Sequence, residues 1–128
     1  MQFQPKSVKF EAYGNVSGNE GGYNIDSDNS TSKNDAGIAN SFNYMTGYVT
    51  NYTAIDQQVI CGGTHDNSIN NISRYASDSE CIGIRYGNQN GNLLGHLKGV
   101  LTSFNADGFS LNITDYATET IIIYTAFK

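Results

Sequence analysis

Residues 7–13 alternate cleanly, with Val8, Phe10 and Ala12 on one face and Lys9 and Glu11 on the other. A period of two predicts an opening strand with one wet face. Pro5, the only proline, stands just before it, where a missing N–H costs nothing. Residues 36–52 read as one or two further strands, Gly37-Ile38-Ala39 and a run from Phe42 to Val49 in which Phe42, Tyr44, Thr46 and Tyr48 share a face. Residues 57–62 form another, with Val59 and Cys61 on one side and Ile60 on the other. In Glu80 to Tyr86, one face takes Cys81, Gly83 and Arg85 and the opposite face Ile82, Ile84 and Tyr86, and the pattern leaves open which face is core.

After a turn at residues 87–92, residues 93–104 make a long strand with Gly95 and Gly99 as candidate bulge positions. Asn105-Ala106-Asp107-Gly108 is a reverse-turn signal, with glycine where positive φ is cheap. The next apolar run continues through Phe109, Leu111 and Ile113. The last, Thr120 to Phe127, is a continuous apolar stretch, read here as a buried strand closing a β-meander.

Two polar segments interrupt this pattern, residues 14–35 and 63–79, both rich in Asn and Ser and both read as long surface loops, the first with room for one short strand around Tyr23. No segment shows a sustained 3.6-residue period with helix caps. The expected fold is all-β: one antiparallel β-sandwich over residues 1–128, of about seven or eight strands with two long polar loops.

Composition changes the picture in one respect. Charged residues are only 15% of the chain, and its polarity comes from sixteen Asn and many Ser and Gly, with nine Tyr, six Phe and no Trp. This suits a turn-rich β protein with an amide- and hydroxyl-rich surface. The formal net charge of −5 and the lack of a basic stripe disfavour nucleic acid and anionic membrane surfaces as partners. No apolar run approaches a membrane span, and the first residues lack the apolar core of a signal peptide.

Candidate chemistry is sparse. Cys61 and Cys81 read as two small buried side chains in preference to one disulfide. Asp26-Ser27-Asp28-Asn29-Ser30 places oxygens at alternate positions, as a calcium loop does, but Thr31 stands where such a loop needs glycine and Gly37 where it needs Glu. A solvated acidic loop is the better reading. His65 and His96 are not at metal-ligand spacing. We expect no metal, no cofactor and no catalytic residue. Surface recognition remains: Tyr, Asn, Ser and Gly are the adaptable residues of binding loops, and aromatic faces beside amides and carboxylates hold sugars. Tyr13, Tyr23, Tyr44, Tyr48, Tyr52 and Tyr75 fall in or beside the polar segments. The loop candidates for binding are Tyr23, Asp26, Asp28, His65, Asp66, Arg74 and Tyr75.

The framework segments Phe3-Gln4-Pro5-Lys6-Ser7-Val8-Lys9-Phe10 and Ser103-Phe104-Asn105-Ala106-Asp107-Gly108-Phe109-Ser110-Leu111-Asn112, with the final Ile-Ile-Tyr-Thr-Ala-Phe strand, resemble a β-sandwich domain of tailed-bacteriophage virion surface proteins. The ending is also similar to that of H-type lectins. The resemblance covers about a third of the chain, in framework rather than binding residues. It implies a non-enzymatic virion protein of tail-fibre or receptor-binding type that contacts a host surface glycan or protein. The alternative is a capsid decoration (cement) protein with a purely structural role. It further implies self-association, as a trimer in the usual case, other virion proteins as partners, and assembly in the bacterial host cytoplasm.

Overall fold

Val8, Phe10 and Ala12 are buried while Lys9 and Tyr13 are exposed, so the first strand, β1 (Ser7–Gly14), is one-sided as its alternation predicts. The computed structural model describes residues 3–14, 38, 41–65, 72–87 and 91–128, without the side chains of Phe42 and His65. The other strands are β2 (Ser41–Asn51), β3 (Ile55–His65), β4 (Ile72–Ser77), β5 (Ile82–Gly87), β6 (Leu93–Asn105), β7 (Gly108–Asp115) and β8 (Thr120–Phe127). They form two antiparallel sheets, a five-stranded one in the order β4-β3-β2-β1-β8 and a three-stranded one in the order β5-β6-β7. The fold is an all-β sandwich. Among the described residues no helix is long and apolar enough to cross a membrane.

The core lies between the sheets. Met45 and Val49 of β2 and Val59 and Cys61 of β3 join the β1 residues from one side, and Ile82, Ile84, Tyr86, Leu97 and Leu101 meet them from the other. On β5 the structure answers the question its alternation leaves open by burying both faces. Ile82, Ile84 and Tyr86 enter the core, while Gly83 lies so close under the larger sheet that a Cβ there would meet Tyr75 at 2.5 Å and Val59 at 2.9 Å. Polar clamps join the sheets at its ends. Ser41 Oγ donates to the Gly87 carbonyl at 3.0 Å, and the Leu101 N–H donates to Gln57 Oε1 at 2.9 Å. That N–H lies where the β6–β7 register shifts, between Leu101 and Ser103. A second shift falls at Lys98/Gly99, and the β5–β6 pairing skips Leu94, beside Gly95.

Four expectations need correction. Residues 63–79 are not one loop: β3 runs on to His65, and Ile72–Ser77 is an edge strand. Its inward positions are Ser73 and Tyr75, so it lacks an apolar alternation. Ile38, the described residue of the expected Gly37–Ala39 strand, is in no strand; its side chain packs on the core. The turn between β6 and β7 forms where expected, but among the described glycines only Gly91 has positive φ, at 76°. Finally, the last strand does not complete a meander: β8 crosses to the other sheet and pairs with β1, from Ser7↔Phe127 to Gly14↔Thr120. It is an edge strand, with Ile123 62% and Phe127 50% exposed.

Candidate functional site

Alternation in β1 and β2 sends one set of side chains into the core and the other outward, and the registers set the outward ones in rows across the large sheet. Tyr13 pairs with Tyr44, and Tyr44 pairs in turn with Gly62, which pairs with Arg74. Glu11 pairs with Thr46, which pairs with Ile60; Lys9 pairs with Tyr48, which pairs with Gln58. The result is a face bearing three tyrosines among one carboxylate, one amide and two cations.

The Tyr13 and Tyr44 rings lie 5.0 Å apart at 47°. Tyr44 donates its hydroxyl hydrogen to Glu11 Oε1 at 2.8 Å, and Lys9 Nζ stands 3.2 Å from the same oxygen. The hydrogen bond from Tyr44, helped by Lys9, holds the Glu11 carboxyl below its ordinary range, and the same bond raises the Tyr44 phenol. Glu11 thus remains an ionised acceptor with its ring partner held in place. Beside this trio lies a shallow groove of about 390 Å³, lined by Lys9, Thr46, Gly47, Tyr48, Gln58, Val59 and Ile60. At Gly62 nothing lies within 4 Å of where a Cβ would be, so the sheet is open next to Tyr44. Tyr13 and Tyr48 are 49% and 41% exposed.

Of the loop candidates, Tyr23, Asp26, Asp28 and Asp66 lie outside the described residues, as does the side chain of His65, whose backbone pairs with Ser41. Arg74 and Tyr75 are neighbours in the chain, but strand alternation separates them. Arg74 belongs to the exposed outer face; Tyr75 turns inward over Gly83. There Tyr75 donates to the Glu80 carboxylate, and Lys98 Nζ sits 5.1 Å above its ring and 3.8 Å from Glu80 Oε1. His96 completes the group, its ring 5.8 Å from that of Tyr75 and its Nδ1 3.7 Å from Asp115 Oδ2. Burial, then the bond to Glu80, pushes the Tyr75 phenol up; the bond with Tyr75 holds Lys98 up. These groups are engaged with one another and fasten β4 to β6. Among the described residues no cluster of three or more His, Cys, Asp or Glu is placed to hold a metal ion.

Burial, then the Lys98 charge, lowers the His96 pKa below its ordinary 6.5. The unfolded chain therefore takes up a proton at His96 before the folded one does. Its contribution to stability is complete above pH 6.5 and is lost as pH falls through the depressed folded value. Thermal melts across that interval should show the midpoint dropping in the parent and dropping less in His96→Asn. Equal slopes would exclude His96 as the source.

Cys61 and Cys81 are buried and unbonded. Burial pushes both thiols up, Cys81 to about 11. A thiol reagent at neutral pH should leave both unmodified in the folded protein and label both in urea. Labelling at free-thiol rates without denaturant would contradict this packing.

The sequence pattern singles out Tyr13, Tyr44 and Tyr48 as residues in or beside the polar segments, and it passes over Lys9, Glu11 and Gln58 as site residues. Their only signal is that each faces outward on its own strand. Their convergence depends on the β1–β2–β3 register, a non-local property. Comparisons of the chain with protein-family models, curated proteins and solved structures find no match.

Proposed function

We propose that this protein is a non-enzymatic recognition module of a bacteriophage virion, of tail-fibre or receptor-binding type, that binds a host surface glycan on the outer face of its five-stranded sheet. The observation that carries this reading is the tyrosine face, in which the Tyr13 and Tyr44 rings lie 5.0 Å apart and Tyr48 lines the groove beside them. A pyranose ring presents C–H groups on its faces and hydroxyls around its rim. Tyrosine rings offer flat apolar area with a negative face to the C–H groups, at little cost in rotamer entropy. Glu11, Lys9 and Gln58 supply an acceptor, a donor and a two-way amide for the hydroxyls. The acidic chain favours a ligand free of phosphate.

The test is binding of the isolated protein to bacterial surface polysaccharides and to a glycan array, followed by titration of the best ligand. Tyr44→Ala and Tyr48→Ala should each weaken binding about tenfold or more, as expected for aromatic anchors. Tyr52→Ala, in the turn between β2 and β3, should leave it unchanged. Binding that ignores Tyr44 and Tyr48 would overturn the assigned site. Binding to assembled capsids alone would favour the decoration role.

A further inference from the structure

The two sheets leave four edges. Those at β4, β5 and β7 have evident protection: β4 is short and carries Arg74, β5 is buried on both faces, and β7 carries Asp115 and pairs with β6 through two register shifts. β8 has none of these. Its register with β1 is unbroken over eight residues, and from Thr120 to Phe127 it holds no charge, no proline and no bulge. Natural edge strands are blunted by just such devices, because a flat apolar edge presents free N–H and C=O groups for another strand to pair with. Among the described residues no strand pairs with the far side of β8. Its outward side chains Ile121, Ile123 and Phe127 are exposed.

The flank below β8 is also unfinished. Ile113, on the core-facing side of β7, is 42% exposed, and Tyr124 is 55% exposed although its ring meets Phe109 edge-on at 5.2 Å. Among the described residues the sandwich is thus open between its β7 and β8 edges.

Charge selects the occupant. Glu119 precedes the uncharged strand and Lys128 follows it, with Lys128 Nζ lying 5.7 Å over the Phe3 ring. Lys6, whose N–H donates to the Phe127 carbonyl at 2.8 Å, adds a second ammonium at that end. One end of β8 is therefore negative, the other positive, and the middle is apolar. A strand with this pattern complements an antiparallel copy of itself, which sets Glu119 of each copy beside Lys128 of the other at both ends.

We propose that a second copy of this chain pairs its β8 antiparallel with β8 of the first, joining the two five-stranded sheets across a two-fold axis. Directly opposed residues of an antiparallel ladder share a face, so the pairing must centre on Ile123 or on Tyr124. Either register brings apolar residues of the two copies into one row and draws the two open flanks together. Both tyrosine faces then point to the same side of the joined sheet. The bivalence this confers rests on the glycan reading above; the dimer does not.

Sedimentation velocity and light scattering on the full chain test the pairing. We expect the parent to have the mass of a dimer. Ile123→Lys, or Thr125→Lys at the next outward β8 position, should weaken dimerisation by about tenfold or more while leaving the circular dichroism unchanged. Glu119→Lys should weaken it as well, and adding Lys128→Glu to that variant should restore it. A parent that stays monomeric at every soluble concentration overturns the proposal, as does a trimer or a dimer indifferent to Ile123→Lys and Thr125→Lys. A charge exchange without rescue overturns the antiparallel arrangement. Glycan binding by a monomer would sink the dimer and spare the tyrosine site; a dimer that binds no glycan would do the reverse.

Discussion

Replacing Gly47 with alanine should cost the protein more than about 3 kcal/mol. A Cβ at Gly47 would lie 2.0 Å from the Cys81 carbonyl oxygen, 2.9 Å from the Cys81 carbonyl carbon and 3.1 Å from the Gln58 oxygen. All three are backbone atoms, so no rotamer change makes room. Relief requires β2 and the entrance to β5 to move apart. β5 is packed on both faces, and its Gly83 N–H points at Met45 Sδ at 3.4 Å, so such a movement would open the core. Gly62→Ala is the matched control. With open space around that position, alanine should be neutral or stabilising by up to about 1 kcal/mol, through the restricted unfolded chain. Urea unfolding of both variants measures the difference. If Gly47→Ala fell within about 0.5 kcal/mol of the parent, β5 could not lie this close to β2.

Phe10→Ala should remove about 3–5 kcal/mol. Phe10 is 1% exposed and meets the Phe109 ring edge-on, with centroids 5.7 Å apart at 86°, and the Tyr124 ring at 6.5 Å. This aromatic group joins β1, β7 and β8 and so spans both sheets. Deleting the ring leaves a cavity that two strands on opposite layers would have to collapse together to fill. Tyr124→Ala removes a ring already more than half exposed and should cost much less. Calorimetric or denaturant unfolding of the two variants gives the ranking. An equal cost would place the weight of the group on its exposed member and contradict the burial of Phe10.

The one-sided strands were legible because each carries its own periodicity. Val8, Phe10 and Ala12 report their face without reference to any partner, and so do Val59 and Cys61 against Ile60. β4 was not legible, since an edge strand need not bury apolar residues to be held; Ser73 and Tyr75 fasten it by hydrogen bonds to the Arg85 carbonyl and to Glu80. The apolar run of β8 was misleading for a related reason. Hydrophobicity signals removal from water, but it does not distinguish a strand buried within its own fold from an apolar edge left open.

Local order alone determines that this chain is all-β, where most of its strands lie, which side of β1 is wet, and that the turn at residues 105–108 closes a hairpin. These follow from side-chain alternation and turn chemistry, which act over a few residues. Only the tertiary structure decides that β8 joins β1 instead of β7, that β5 is buried on both faces, and that Tyr13, Tyr44, Tyr48, Lys9, Glu11 and Gln58 share one surface. Those outcomes depend on pairings between strands tens of residues apart. A shift of one residue in any of them would turn the same side chains to the opposite face.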